Sequence, residues 1–371
     1  MGYNFEHLPL QALLPAIGRA EDQLARLDEQ VRRSPAGQGF VERGHFFDVA
    51  ASMWVGGELV HVEDLVLHDA RMDVRAPTHE LTIAHRILRA RRRIAGAKAD
   101  WAVSDAGIGA LTGYEDRDQQ SGEGDGAAPT VEAPDDLDLM NEGDPLTQEL
   151  ANVDALLAQS QRLLDKISED KRGGRQELVV GDLVVRDSDW DEEDRLAQWK
   201  RVLRDDGDLP ATLSAALLWD AWESLEPMQR QHWLGAQLVS AYLRARGKVA
   251  SHLFGFNIGL KAVPRERRRS QNRSTRLLAF LDAMSASAEA GMKEIARLTQ
   301  AREQMTRRLN GRRSSSSLPT TVELVLSRPI VSAPMVAKTA KVTQRGALNL
   351  IGQLGVREIT GRGRYRAWGI I

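Results

Sequence analysis

Polar side chains that can read the edges of DNA bases recur on one face of a predicted helix near the C-terminus. The opposite face is apolar, with residues at i, i+3, i+4 and i+7: Ala347, Leu350, Ile351 and Leu354. Arginine can donate paired hydrogen bonds to O6 and N7 of guanine, and asparagine or glutamine suits N6 and N7 of adenine. Burial of the apolar face turns Gln344, Arg345 and Asn349 outward. We therefore predict that these three residues, with Thr343 at the N-cap beside them, contact DNA.

A short basic segment follows that helix. Residues 356–360 and 364–368 have the character of two strands joined across Gly361-Arg362-Gly363, where glycine allows positive φ. Arg362, Arg364 and Arg366 lie at or beside the tip of this predicted hairpin. Guanidinium groups there suit contacts with phosphate or with the minor groove. Trp368 is expected to pack beneath the hairpin as an anchor to the core.

Two shorter helices are predicted before the polar one. Leu318-Pro319 opens the first and Arg328-Pro329 stops it. Ser332 is a suitable cap for the second, and Gly355 a suitable end for the third. Three short helices followed by a basic hairpin are typical of a winged helix–turn–helix, whose third helix enters the major groove. The sequence thus predicts that residues 314–371 bind double-stranded DNA; a three-helix unit with a solvated polar face is the alternative.

The charge of the chain is divided unevenly along its length. The 371 residues have a net charge of −2. From Ser251 to the end there are 22 Lys and Arg against 7 Asp and Glu, whereas the remainder has 28 against 45. This asymmetry indicates that the basic end meets a polyanion, although attraction between the two halves is an alternative. Within the basic part, Arg267, Arg268 and Arg269 belong to a cluster that we read either as further phosphate contacts or as a solvated loop.

The fold class predicted from the apolar periodicity is mainly α, with helical N-terminal and central regions before the winged helix–turn–helix. Residues 1–112 read as a helical region, with helices from Leu8 to Val31 and from Thr78 to Arg93. The arginines that end the second of these fit the C-terminal turns of a helix, where cations are favoured. Residues 113–146 form an acidic stretch interrupted by glycine and proline, which predicts a disordered linker.

Residues 147–313 are predicted to form a central helical region. A helix from Leu146 to Asp170 and a hairpin at 177–185 are followed by helices at 192–204, 211–225 and 228–246, whose tryptophans are read as core anchors. A long helix then carries a heptad-like seam from Leu277 to Leu309, interrupted by Gly291 and Arg302. The seam can pack within the chain or pair two subunits; the interruptions favour the first, and a homodimer through residues 277–309 is the alternative.

Several other classes of chemistry find no support in the sequence. The chain has no cysteine, which excludes disulfides and thiolate zinc sites. It has no Walker loop and no dinucleotide-binding glycine motif. His61, His68, His79 and His85 are close in sequence but lack a recognised zinc spacing, so no metal and no cofactor is expected. No signal peptide or membrane span is seen, and a cytoplasmic protein is therefore expected.

Three stretches resemble a family of bacterial, largely rhizobial, proteins of unknown function that end in a helix–turn–helix domain. They are His61–Arg75, Arg273–Asp282 and Arg357–Trp368. The resemblance covers nearly the whole chain except the acidic linker. It implies DNA binding by the C-terminal domain and supplies no activity for the remainder.

A more distant resemblance is to Fic-type AMP-transferases. Ser52–Gly57 is similar to their inhibitory Ser-x-x-x-Glu-Gly motif, with Gly56 in place of the glutamate. The segment nearest to their catalytic loop begins at His252, but the acidic residue is missing and Leu260 replaces the arginine. The resemblance thus implies a Fic-like fold without an intact active site, and no catalytic residue is assigned. A DNA-binding protein, a transcriptional regulator and not an enzyme, is the function predicted; a divergent nucleotidyl transferase and a helical partner-binding protein are the alternatives.

Overall fold

The computed structural model describes residues 8–73, 76–113, 190–205, 209–309, 317–360 and 366–370. Within these ranges the fold is mainly α with one small antiparallel sheet, as predicted. The predicted helix at 146–170, the hairpin at 177–185 and all of the acidic linker except Gly113 lie outside the described residues.

The helices before the linker follow in chain order with short connections. They are α1 (Leu10–Arg33), α2 (Gly37–Gly56), α3 (Val62–Asp69), α4 (His79–Gly96), a 3₁₀ turn (Trp101–Val103) and α5 (Asp105–Thr112). The Thr78 hydroxyl caps α4 by accepting a hydrogen bond from the Leu81 amide at 3.2 Å. The predicted helices at 8–31 and 78–93 are therefore confirmed to within a few residues.

The central helices run from residue 192 to residue 309. They are α6 (Glu192–Arg204), α7 (Ala211–Leu225), α8 (Leu234–Ala245), α9 (Phe256–Ala262), α10 (Arg265–Arg268) and α11 (Arg273–Leu309). The third of them was expected to begin at Met228 and instead begins at Leu234. Trp199 and Trp222 are fully buried, and their rings meet edge to face at 5.2 Å. Trp219 is also buried whereas Trp233 is half-buried, so the interpretation of the tryptophans as core anchors holds for three of the four.

The C-terminal segment contains the remaining helices and the sheet. Its elements are α12 (Leu318–Ser327), β1 (Val331–Ser332), α13 (Ala333–Ala340), α14 (Gln344–Leu354), β2 (Arg357–Glu358) and β3 (Ala367–Gly369). The order of strands is β1-β3-β2, with both pairs antiparallel. The N-terminal region, the central helices and the C-terminal segment pack on one another, because residues 1–117 and 191–371 belong to a single compact unit.

Helix α11 is the element on which most of the others pack. Its apolar face is buried inside the chain, chiefly against α1, α7 and α9. Both residues that interrupt its heptad seam contact other helices. A Cβ at Gly291 would lie 2.9 Å from the side chain of Leu27 in α1. Arg302 pairs with Glu323 of α12 at 2.6 Å. Most of the seam is therefore covered within one chain, the first of the two predicted packings, and a homodimer through residues 277–309 stays a prediction.

A buried ion pair joins the N-terminal helices to the central region. Arg91 of α4 and Asp48 of α2 are each about 1% exposed, with Nη1 of Arg91 2.7 Å from Oδ2 of Asp48. The guanidinium also donates to the carbonyls of Leu253 and Phe254, and Asp48 accepts from the Asn257 amide at 2.9 Å. In the sequence, Arg91 is one of several arginines in the last turns of this helix, where cations are favoured. The structure shows in addition that Arg91 lies on the buried face of α4.

Substitution of Arg91 tests this arrangement. Arg91→Met should lower the free energy of unfolding by about 3–5 kcal/mol, because it leaves the Asp48 carboxylate buried without its counter-charge. Arg89→Met, at an exposed position of the same helix, is the control and should change stability by less than about 0.5 kcal/mol. Urea denaturation of both variants measures the difference. A loss below about 1 kcal/mol for Arg91→Met, as for a surface pair, would contradict the role assigned to the ion pair.

Candidate nucleic-acid interface

Local capping interactions fix the bounds of the last two helices. The Ser332 hydroxyl accepts from the Met335 amide at 3.4 Å at the start of α13, and the Thr343 hydroxyl accepts from the Gly346 amide at 3.2 Å at the start of α14. Gly355 follows α14 with φ of +65°, a left-handed conformation that glycine adopts without strain. These are the caps predicted from the sequence.

Helix α14 buries one face and exposes the other, as its periodicity predicts. Leu350, Ile351 and Leu354 are 6% exposed or less, and Ala347 is fully buried. The side chains of Gln344, Arg345 and Asn349 are exposed, together with Thr343 at the N-cap. The structure thus brings the predicted base-contacting residues together on the outer surface of the N-terminal half of the helix.

The exposed face of α14 also carries an apolar side chain that the sequence analysis did not single out. Leu348 is 41% exposed and stands one residue before Asn349. A leucine out of phase with the buried stripe of an otherwise regular amphipathic helix was the signal available in the sequence. An apolar side chain among polar ones suits contact with the methyl group of thymine.

The base of the hairpin is held by a three-stranded sheet. Trp368 of β3 pairs with Val331 of β1 on one side and Glu358 of β2 on the other, and its side chain is 6% exposed. Strand β1, which the sequence analysis missed, joins the hairpin to the entrance of α13. Trp368 is therefore the anchor that was predicted.

Of the three arginines expected at or beside the hairpin tip, the structure describes Arg366. Arg362 and Arg364 lie outside the described residues. Arg366 is exposed, and its guanidinium lies 5.1 Å from the ring centroid of Trp368 and 2.6 Å from a carboxylate oxygen of Glu358. The hydrogen bond to Arg366 lowers the pKa of Glu358. Arg366 is thereby held against Glu358 and Trp368, while half of its side chain stays exposed.

The charge of the C-terminal segment is strongly positive. Residues 317–371 contain eight Lys and Arg against two Glu. Both carboxylates are engaged, Glu323 with Arg302 and Glu358 with Arg366. Helix α14 itself carries no acidic residue. An approaching phosphate thus meets cations and the positive end of a helix dipole at the start of α14.

The end of the long helix α11 supports the end of α14. Nη1 of Arg308 donates to the Leu354 carbonyl at 3.0 Å, which satisfies one of the carbonyl groups left open at a helix C-terminus. A Cβ added at Gly355 would lie 1.4 Å from the same Nη1, so glycine at this position permits the contact as well as the positive φ. The orientation of α14 is thus tied to the helical body.

The second basic cluster lies far from this surface. Arg267 pairs with Asp282 at 2.7 Å, and Arg268 is 9% exposed with its Nε bonded to the Val263 carbonyl. Arg269 is exposed. The cluster lies directly before the first residue of α11, whereas α14 contacts the last turn of α11. At 1.5 Å per residue, the two ends of α11 are about 50 Å apart. The phosphate contact read for Arg268 is corrected, because its guanidinium is buried and bonded within the fold. Phosphate contacts by Arg267 and Arg269 stay predictions.

The segment nearest to the catalytic loop of Fic-type proteins, which begins at His252, is mostly buried in the core. His252 packs edge to face on Phe40 at 5.4 Å, and its Nδ1 lies 2.9 Å from the Ser251 hydroxyl. Burial lowers the pKa of His252 to about 4. A Cβ at Gly259 would lie 1.8 Å from the Ala283 carbonyl, so α9 leaves no space for a nucleotide on that side. His252 is thus a packed histidine.

The histidines of the 61–85 stretch are used in local pairs. His68 lies 3.0 Å from Asp73, and its ring meets that of His85 at 4.8 Å. His85 lies 3.6 Å from Asp69. In the part of the chain that the structure describes, no three acidic or histidine side chains are arranged to hold a metal ion.

Comparison with known proteins agrees with this geometry. Residues 184–310 match the family described as "Protein of unknown function (DUF1612)", and residues 318–371 match the family described as "HTH DNA binding domain". The uncharacterized protein y4cF of Sinorhizobium fredii is 45% identical over 380 residues, which cover 100% of both chains. The chain therefore belongs to the same protein family as this rhizobial relative.

Family membership confirms the resemblance to rhizobial proteins drawn from the sequence. The match to the DNA-binding domain begins at Leu318, the first residue of α12, and includes the whole of the sheet and α14. The other family match covers α6 to α11. Among the helices of the described ranges, none combines the length and the apolar content needed to cross a bilayer.

Two buried histidines generate a prediction for acid stability. Burial, reinforced by Arg91, Arg92 and Arg328, lowers the pKa of His45, as burial lowers that of His252. Both histidines are neutral in the folded chain. In the unfolded chain a histidine has a pKa of about 6.5 and takes up a proton below that pH. The free energy of unfolding should therefore fall between pH 6.5 and about 5, by up to about 1.4 kcal/mol per pH unit for each histidine.

Denaturant unfolding at a series of pH values measures this slope. His252→Phe, which retains an aromatic ring against Phe40, should make the slope smaller. Stability that is level or rises as the pH is lowered through this window would show that these histidines are not held neutral.

Proposed function

We propose that this protein binds double-stranded DNA through α14 and the basic hairpin of residues 357–369, and that it regulates transcription. The observation that carries the proposal is the outer face of α14. Gln344, Arg345 and Asn349 are exposed there on a helix that is capped, free of acidic residues and held to the body at its far end. In a helix–turn–helix this face enters the major groove.

Each exposed residue of α14 has a role suited to its chemistry. Arg345 would donate paired hydrogen bonds to guanine, and Asn349 or Gln344 would pair with adenine. Leu348 would contact the methyl group of thymine. Thr343 stands at the N-terminus of the helix, where backbone amides and the helix dipole favour a phosphate.

The hairpin would supply contacts of a different kind. Arg366 lies beside the sheet with an exposed guanidinium edge, and Arg362 and Arg364 are assigned to the same surface from the sequence. Arginines on a hairpin bind the phosphate backbone or a narrow minor groove, which adds affinity and orientation more than sequence preference. Base contacts by α14 and backbone contacts by the hairpin are thus separable by mutation.

The two rival functions have less support from the structure. A nucleotidyl transferase would need a catalytic histidine open to substrate, whereas His252 is 8% exposed and packed on Phe40. A partner-binding role for the long helix would need its apolar seam free, whereas the seam is buried within the chain. We therefore propose that the protein acts by binding DNA and not by catalysis.

Removal of the Arg345 guanidinium should relax sequence preference. In selection of bound fragments from genomic DNA, Arg345→Ala should lose the preference for a guanine at one position, at a cost of about 1–3 kcal/mol on the preferred site. Arg362→Ala should weaken binding to all sequences by similar factors. Arg86→Ala, at an exposed position of α4, is the matched control and should leave both properties unchanged. Equal losses on every sequence from Arg345→Ala would contradict base reading.

The hairpin arginines should contribute to the salt dependence of binding. A plot of the logarithm of the association constant against that of salt concentration should have a slope of about −0.9 for each phosphate contacted. Arg362→Ala should reduce the magnitude of this slope by about one contact, while Leu348→Ala should not alter it. Fluorescence anisotropy with a labelled duplex measures both. If the slope is the same in wild type and Arg362→Ala, the phosphate contact is absent.

A further inference from the structure

A cleft of about 430 Å³ lies where the C-terminal sheet meets the N-terminal helices. One wall is formed by α2 and the segment that follows it, including Phe47, Trp54 and Leu59. The facing wall contains Ile359 and Ile370, which flank strands β2 and β3. A cavity of this volume with mainly apolar walls is of the size that small-molecule sites have in proteins.

Large apolar side chains are exposed around this cleft. Trp54 is 42% exposed, Leu59 is 70% exposed and Ile359 is 38% exposed. They are three of the six large hydrophobic residues that are exposed within the described ranges, and all three line one cleft. A clustered exposure of this kind is unfavourable in water and marks a surface that gains from being covered.

The cationic groups of the cleft differ in whether they are already neutralised. Arg43 and Arg297 both bond to Glu294, at 3.1 Å and 2.7 Å, and Arg297 also donates to the Ile370 carbonyl. Lys261 is exposed and forms no ion pair with any described residue; its ammonium lies 5.6 Å from the ring centroid of Trp54. Glu63 is the one carboxylate that lines the cleft. The lining therefore carries a net positive charge, with an uncommitted ammonium beside an exposed indole.

We propose that this cleft binds a small aromatic monocarboxylate. The ring would cover Trp54 and Leu59, and the carboxylate would accept hydrogen bonds from Nζ of Lys261. The apolar walls favour an aromatic ring, whereas the ammonium selects an anion over a neutral molecule of the same shape. A cation is disfavoured by the same ammonium and by the two guanidinium groups.

The position of the cleft couples it to the hairpin. Ile359 directly follows β2, and Ile370 directly follows β3. A molecule in the cleft would contact the helical body and the base of the hairpin at once. Bound acid would therefore change the affinity of the protein for DNA. The factor of this change equals the ratio of the affinities of the acid for the DNA-bound and the DNA-free protein. This second part of the inference rests on the proposed function.

Binding is tested on the full chain without DNA, with 1-naphthaleneacetate and its neutral amide, 1-naphthaleneacetamide, as probes. Isothermal titration calorimetry should show the acid binding with a dissociation constant of about 1 mM or tighter. The amide should bind at least about tenfold more weakly, as expected for the loss of one charge-assisted hydrogen bond. Equal affinity of acid and amide, or no binding of the acid at about 10 mM, would overturn the proposal.

Variants of Lys261 assign the site. Lys261→Gln should reduce the affinity for the acid to that for the amide and leave the affinity for the amide unchanged, while Lys261→Arg should restore binding of the acid. Lys98→Gln removes an exposed lysine elsewhere and is the matched control. Because Lys261 is exposed, the thermal unfolding of these variants should equal that of the wild type. Unaltered binding of the acid to Lys261→Gln would place it at another site and refute the proposal.

The coupling is tested by measuring DNA affinity with and without a saturating concentration of each probe. The acid should change the DNA dissociation constant at least about threefold, the amide should not, and the effect should vanish in Lys261→Gln. An acid that binds but leaves DNA affinity unaltered would refute the coupling alone. A protein that binds no DNA would refute the proposed function, and the calorimetric result would still decide whether the cleft binds the acid.

Discussion

The folded structure depends on one buried carboxylate, that of Asp48 in the middle of α2. It accepts hydrogen bonds from Arg91 of α4 and from the backbone amides of Asn257 and Ile258, at the start of α9. A charge removed from water is tolerated only where partners surround it. Three stretches far apart in sequence must therefore meet at this point. One of the helices that they form, α9, packs with α1 and α7 on α11, and α11 supports the DNA-binding segment at its far end.

Arginine side chains hold the C-terminal segment to this body. Arg302 and Arg308 of α11 contact α12 and the end of α14, and Arg297 bonds to the Ile370 carbonyl after the last strand. Arg43 of α2 donates to the Arg328 carbonyl after α12. The basic character of the C-terminal third thus has two uses. Part of it joins elements within the chain, and another part, which includes Arg345 of α14 and Arg366 of the hairpin, is exposed.

Local patterns in the sequence were sufficient for most of the elements. Hydroxyl caps at Ser332 and Thr343, the glycine at 355 and the spacing of apolar residues predicted the last two helices, because these signals act over a few residues. The outward face of α14 followed from the same periodicity. Strand β1 was missed, since two residues carry no readable period and pair with β3 only once the chain has folded. Leu348 was missed because its exposure contradicts its apolar character.

What the sequence determined by itself is the helical content, the C-terminal DNA-binding segment and the polar surface of α14. The tertiary structure decided which cations are available. The sequence alone does not distinguish Arg91, Arg267 and Arg268 from Arg345. In the structure, Arg91 is buried with Asp48, Arg267 pairs with Asp282 of α11, and Arg268 bonds to the Val263 carbonyl. It also decided that the seam of α11 is internal, and that exposed apolar residues from α2 and the hairpin share one cleft. These outcomes depend on contacts between distant segments, and only the folded chain defines which side chains meet.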